Sequence, residues 1–153
     1  MLELVKLLRP RQWIKNGFVF APLLFTGRYT DRTSVLETLY AFIVFCIASS
    51  AVYVLNDIRD IEADKLHPKK SKTRPLAAGT VSKKSAIVTL IGLALALIAL
   101  VIRSPELFPS VGAYIVLNIA YSLYLKHQPV LDIFTIAAGF VLRIVAGASA
   151  LSV

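Results

Sequence analysis

Asp57, Asp60, Glu62 and Asp64 put four of the chain's nine acidic residues into one short stretch, NDIRDIEAD, running from Asn56 to Asp64. On a helix, residues four apart lie about 40° from one another around the axis, so Asn56, Asp60 and Asp64 form one line with Asp57 at its edge. Glu62 points to the opposite side. One amide and three carboxylates are thereby presented over roughly 12 Å of helix length. Like charges so placed repel, and a divalent cation relieves the repulsion. Oxygen ligands with no His or Cys in the spacing favour Mg2+ over zinc. Mg2+ keeps waters and is commonly held by one or two carboxylates plus substrate phosphates, so the stripe points to a diphosphate held through metal. Asn56, Asp57, Asp60 and Asp64 are the candidate metal ligands, and Asp57, Asp60 and Asp64 the candidate catalytic residues. A solvated helix end, its acids balanced by neighbouring Lys and Arg, is the alternative that spacing alone leaves open.

The next residues, DKLHPKKSKTRPLAAGTVSKKS, form a basic loop broken by Pro68, Pro75 and Gly79. Lys70, Lys72 and Arg74 have the chemistry to grip phosphate oxygens, Arg through a bidentate fork and Lys as a point charge. The same charges would equally suit anionic lipid headgroups. His67 is read as a capping or packing residue of this loop. Polar residues inside apolar runs are a second signal, because hydrocarbon tolerates them only against a cavity or a partner. Tyr114, Asn118 and Tyr121 share one helical face. Asp132 and Arg143 share another, roughly 16 Å apart along the axis and so too distant to pair. A common polar cavity would explain both stripes, with Arg143 on the substrate side; for Asn118 and the tyrosines, hydrogen bonding between helices would serve as well.

The elements that must carry these groups are membrane helices. Of the 153 residues 57% are hydrophobic and 17% charged, and the mean hydropathy is +0.71. Apolar runs at Leu36 to Leu55, Ala86 to Ile102, Leu107 to Leu125 and Val130 to Val153 each approach the roughly 20 residues that cross about 30 Å of hydrocarbon. Gly17 to Gly27 is short alone and becomes a tilted span when Trp13 and Ile14 are added, giving an expected five. So few charges cannot cover several all-round apolar helices in polar surface, which argues against a soluble bundle. The lone Cys46 falls inside the second span, where a small buried hydrophobe is the default. The N-terminus, MLELVKLLRPRQWIKN, lacks the compact apolar core of a secretory signal and is read as part of the mature protein.

The net charge of +8 is distributed by loop, in the manner that sets membrane topology rather than nucleic-acid binding, and no nucleic-acid partner is expected. Lys6, Arg9, Arg11 and Lys15 precede the first span. Arg59, Lys65, Lys69, Lys70, Lys72, Arg74, Lys83 and Lys84 lie between the second and third, and Lys126 follows the fourth. Only Arg28, Arg32 and Arg103 fall on the other side. The expected protein is a multi-pass resident of the cell (plasma) membrane with its N-terminus and the acid-bearing loop in the cytoplasm. Residues 1–153 read as a single membrane domain, and the last span ends without a basic or aromatic flank, as though the sequence were the N-terminal part of a longer one.

The pattern N-D-x-x-D-x-x-x-D in NDIRDIEAD resembles the first aspartate-rich motif of the intramembrane UbiA-type prenyltransferases, which in that family follows the second transmembrane helix. RPRQWIKN (Arg9 to Asn16), YSLYLK and DIFTIAAGFVLRIVAGA are similar more narrowly to the decaprenyl-phosphate phosphoribosyltransferase branch. The resemblance runs along the whole chain. It implies an all-α bundle of nine transmembrane helices, of which about five are present, around a cavity open to the cytoplasm and to lipid, where Mg2+ bound by two aspartate-rich motifs holds a diphosphate. Carried over by position, Lys15, Asn16 and Arg74 become candidate phosphate contacts, with Asn56, Lys70, Tyr121, Lys126 and Arg143 as further substrate-binding candidates. Tyr121 and Lys126 are five apart, where aromatic-substrate members carry Tyr-x-x-x-Lys. Asp132 has no acid four residues on, so the second motif is absent and this chain alone is expected to be inactive.

The activity implied is a transferase that moves phosphoribose from 5-phosphoribosyl 1-diphosphate to a polyprenyl phosphate, a step toward cell-wall arabinan precursors. Prenyl transfer to an aromatic acceptor, as in quinone biosynthesis, is the nearer alternative. The basic and amide residues Arg9, Arg11, Gln12, Lys15 and Asn16 tilt the choice toward the more polar sugar. A transporter using Asp60, Asp132 and Arg143 as a charge relay is the alternative of another class, though no internal repeat supports it.

Overall fold

The computed structural model describes residues 2–124 and 129–153, without the side chains of residues 2, 129, 130 and 132. Every regular element among them is helical: α1 (Leu2–Leu8), a 3₁₀ segment (Pro10–Phe20), α2 (Ala21–Phe25), a 3₁₀ turn (Arg28–Thr30), α3 (Arg32–Arg59), α4 (Ile61–Leu66), α5 (Lys70–Thr73), α6 (Lys83–Arg103), a second 3₁₀ turn (Pro105–Leu107), α7 (Phe108–Leu123) and α8 (Pro129–Ala150). Four helices among the described residues are long and apolar enough to cross a membrane, and the chain is an all-α membrane bundle. They lie within α3, α6, α7 with the turn before it, and α8.

The first expected span takes a different form. Pro10, Gly17 and Pro22 interrupt it, and a proline nitrogen donates no hydrogen bond, so the segment folds as 3₁₀ helix and a short α-helix. At about 2.0 Å per residue in the 3₁₀ part, Pro10 to Phe25 still reaches about 30 Å, the thickness of a hydrocarbon core.

α3 is the axis of the bundle. Of its apolar window 56% is buried inside the protein, against 17% for α6, whose remaining surface is left for lipid. The reason lies in its small residues: Ala41, Cys46, Ala48, Ser49 and Ser50 are all buried, and short side chains let neighbouring backbones approach closely within a membrane. Val19 from the 3₁₀ segment, Val44 and Phe45 from α3, Leu97 from α6, Val111 and Tyr114 from α7 and Ala146 from α8 meet there in one core. A smaller cluster of Leu7, Val54, Leu76, Val81 and Ala86 packs α1 and the basic loop against the far end of α3. Asp31 caps α3, accepting from the Ser34 amide at 2.8 Å and its hydroxyl at 2.6 Å. The Ser34 hydroxyl and amide hold its carboxyl below the usual carboxylate range.

Ser50 ties the 3₁₀ segment to this axis. Its hydroxyl accepts from Trp13 Nε1 at 3.0 Å and donates to the Leu8 carbonyl at 2.9 Å. Ser50→Ala leaves both partners unsatisfied, and is expected to lower stability by about 1–3 kcal/mol, read as a drop in the unfolding midpoint of the purified protein.

Candidate functional site

α3 ends among the acids. Asp60, at φ −94° and ψ 12°, closes the helix. The Asp60 amide still bonds the Asn56 carbonyl at 2.9 Å and the Asp64 amide the Asp60 carbonyl at 2.8 Å, so α4 continues nearly in register. Asp57 and Asp64, two turns apart and only about 20° from one another around the axis, fall together on one face. Their side chains are buried, the residues being 2% and 3% exposed. Arg74 bridges them: its Nη1 lies 3.2 Å from Asp57 Oδ1 and also bonds Asp64 Oδ2. Arg9 Nη2 reaches Asp57 Oδ1 at 2.5 Å, and Lys70 Nζ stands 3.5 Å from Asp64 Oδ1.

The other members of the predicted line go elsewhere. Asn56 turns toward α7, where its Oδ1 accepts from the Ser122 hydroxyl at 2.5 Å. Asp60 lies beside Arg59 at 3.3 Å, its side chain 27% exposed. In the loop, His67 Nδ1 accepts from the Lys69 and Lys70 amides and so caps α5.

Arg9 reaches its place at a conformational cost. It sits in the left-handed region at φ 53°, ψ 58°, which costs a non-glycine residue on the order of 1–3 kcal/mol. The turn sends the guanidinium toward Asp57 and stacks it on the Tyr53 ring, 5.0 Å from the centroid. Tyr53 precedes Asp57 by one helical turn on the same face of α3. It is also part of the wall of a second feature.

That feature is a cavity of about 260 Å³ between the 3₁₀ segment, α3, α7 and α8, lined among others by Lys15, Tyr53, Tyr114, Asn118, Tyr121 and Arg143. The stripe expected on α7 and Arg143 of α8 thus face one space. Arg143 is 6% exposed. Its Nε donates to Asn16 Oδ1 at 2.8 Å, Nη1 to the Gly139 carbonyl at 2.6 Å and Nη2 to the Tyr114 hydroxyl at 3.3 Å. The Tyr114 ring lies 4.8 Å below the guanidinium carbon. Asn16 is fully buried behind Arg143, with its amide donating to Ser49 Oγ at 3.2 Å and Cys46 Sγ at 3.4 Å. It orients the arginine from the rear.

Asp57 Oδ2 is buried and has no hydrogen-bond partner. An ionised oxygen in that position has unused capacity for a cation, and the donor set is all oxygen, so the residues fit Mg2+. Among the described residues, no three His, Cys, Asp or Glu side chains group closely enough to hold a metal by themselves. The fit is therefore to an ion shared between one or two carboxylates and phosphate oxygens.

Of the residues singled out by sequence, Asp57, Asp64, Lys70 and Arg74 converge at the carboxylate end, and Lys15, Tyr121 and Arg143 at the cavity. Lys126 lies outside the described residues, as does the side chain of Asp132. Two participants escaped sequence reasoning: Arg9 as a carboxylate partner, and Tyr53 as the link between the two ends. Tyr53 carried a usable signal, standing four residues before Asp57, whereas the reach of Arg9 depends on a backbone turn that composition does not announce.

Residues 18–153 match the UbiA prenyltransferase family. A decaprenyl-phosphate phosphoribosyltransferase of Corynebacterium glutamicum is 41% identical over 150 residues, which cover 94% of this chain and 45% of that protein. The enzyme of the same name from Mycolicibacterium smegmatis is 44% identical over 151 residues, covering 94% and 46%. Nodulation protein NoeC of Azorhizobium caulinodans is 35% identical over 146 residues, covering 95% and 47%. The chain spans about half the length of these curated relatives.

Proposed function

This chain belongs to the UbiA prenyltransferase family, and from that premise we propose that the whole protein transfers phosphoribose from 5-phosphoribosyl 1-diphosphate to a polyprenyl phosphate, with Mg2+ as its cofactor. The observation that carries the reading is the buried Asp57–Asp64 pair, with its orphaned Oδ2, ringed by Arg9, Lys70 and Arg74. The names of the two phosphoribosyltransferase relatives support the sugar donor and lipid acceptor.

Asp57 and Asp64 are the residues to hold the ion. Bound there, Mg2+ would neutralise charge on the leaving diphosphate. Arg74, Lys70 and Arg9 surround the same carboxylates and offer their N–H groups to phosphate oxygens. In the transfer, a lipid phosphate oxygen forms a bond to the anomeric carbon as the bond from that carbon to the diphosphate breaks, the electron pair leaving with the diphosphate. A phosphate nucleophile is already ionised at neutral pH, so no general base is needed. Catalysis rests on position and on fixed charge. The basic residues Lys6, Arg9, Arg11 and Lys15 and those of the loop between α3 and α6 support a cytoplasmic placement of this end in a plasma-membrane protein.

The test is an assay of the intact reconstituted protein for radiolabelled phosphoribose reaching a lipid phosphate. Arg74→Gln is expected to raise the KM for the sugar diphosphate about 10- to 100-fold, the worth of a charged hydrogen-bonding group. No transfer to lipid phosphate, together with turnover of a prenyl diphosphate and an aromatic acid, would reassign the protein to aromatic prenylation.

A further inference from the structure

The carboxylate end accounts for a diphosphate, but it leaves Arg143 unexplained. This guanidinium is buried in the interior of a membrane bundle, and its contacts among the described residues are a side-chain amide, a backbone carbonyl, a phenol and aromatic faces, all neutral. Among the described residues no carboxylate pairs with it. Buried charges are ordinarily paired because removal from water is costly, and an ionisable group within a membrane protein ordinarily marks a ligand path. Arg143 has five N–H donors in a planar fork, and three hydrogen bonds leave part of that fork for another acceptor.

The surroundings select the acceptor. Lys15 lines the same cavity, so two cations face a space to which the described residues contribute no acid. The hydroxyl of Tyr53 and the side-chain amide of Asn118 add neutral polar groups. Gly139 keeps the approach clear, since a Cβ there would stand 3.3 Å from Arg143 Nη1. At about 260 Å³ the cavity has the volume of roughly nine waters, room for a phosphate group with water to spare. It is also set apart from the carboxylates. Asn16 is anchored at Ser49, eight residues before Asp57, which places the Arg143 contact about 12 Å deeper along α3.

We infer that Arg143, held by Asn16 and assisted by Lys15, forms a second anion site inside the bundle whose ligand is a phosphomonoester. The inference rests on the transfer reading above and deepens it, since both proposed substrates carry such a group: the acceptor as its lipid phosphate, the donor as its sugar 5-phosphate. With the diphosphate at Asp57 and Asp64, a monoester at Arg143 would fix the second end of the reacting assembly. Asn16 is then a positioning residue, acting through the guanidinium.

Binding to the intact protein in nanodiscs, without Mg2+, tests this with farnesyl phosphate, ribose 5-phosphate and the neutral alcohol farnesol as probes. Arg143→Gln is expected to weaken at least one of the two phosphomonoesters about 10- to 100-fold while farnesol binding stays as in the wild type. Lys15→Met is expected to act in the same direction, and serves if Arg143→Gln does not fold. Loss of farnesyl phosphate alone identifies the lipid as the source of the phosphate, and loss of ribose 5-phosphate alone identifies the sugar. Wild-type affinity for both monoesters in both variants would overturn the inference. So would a fall in farnesol binding equal to that of the monoesters in both variants, because a neutral ligand needs no cation. If the monoesters respond as expected while no phosphoribose is ever transferred, the proposed function fails and the subsite stands.

Discussion

Asp57→Asn is expected to reduce phosphoribose transfer by the intact protein about a thousand-fold. The side chain is almost fully buried, with Arg9 at 2.5 Å and Arg74 at 3.2 Å from one oxygen and nothing bonded to the other. An amide of the same shape removes the charge that both guanidiniums answer, and replaces one oxygen by a group that cannot ligate a cation. Removing one partner of a buried ion pair costs about 3–5 kcal/mol, and about 1.36 kcal/mol is a factor of ten in rate. The loss should be accompanied by a higher Mg2+ requirement in any residual activity. Steady-state transfer across a Mg2+ series, with an unfolding measurement beside it, separates lost chemistry from lost structure. Transfer at the wild-type rate would remove the carboxylate pair from the mechanism.

The second large effect lies at the opposite wall. Gly147 of α8 meets the backbone of the 3₁₀ segment so closely that a Cβ there would stand 2.0 Å from the Val19 carbonyl oxygen and 3.2 Å from Pro22 Cδ. Neither neighbour is the free end of a flexible side chain, so Gly147→Ala forces one element away from the other. Overpacking of this kind typically costs 1–3 kcal/mol, occasionally more, and a backbone obstruction places this case at about 3 kcal/mol or above. The displaced segment carries Lys15 and Asn16, so the Asn16–Arg143 bond should be lost as well. A lower unfolding midpoint together with weakened phosphomonoester binding is the expected result. Gly139→Ala is a useful contrast: there the neighbour is only the Arg143 side chain, at 3.3 Å.

The helices were legible because lipid imposes length and apolarity, and both can be counted in a sequence. α3 therefore ends close to where the apolar run ends, with NDIRDIEAD at its tip. The α7 stripe and Arg143 of α8, which line one cavity, are legible for a related reason, since polar side chains in hydrocarbon need somewhere to point. Four-residue spacing aligns Asn56, Asp60 and Asp64, whereas the acids that meet are Asp57 and Asp64, seven apart and only about 20° from one another around the axis, joined through Arg74. The first segment was misjudged in form, because its prolines and glycine permit several kinds of turn and packing against α3 and α8 selects among them. Asn16, a phosphate-contact candidate carried over by position, is buried behind Arg143 with its amide on Ser49 and Cys46, an arrangement that depends on packing between distant helices.

The bond between Asn16 and Arg143 joins residues 127 positions apart in the chain. An arginine near the middle of a helix opposes its entry into lipid by about 2.5–3.5 kcal/mol on the scale set by the insertion machinery. α8 offsets this in part through its apolar neighbours, and in part through an acceptor delivered long before. During synthesis the first segment must therefore lodge in the bilayer against α3, its Asn16 Oδ1 held ready for Arg143 until α8 emerges from the ribosome.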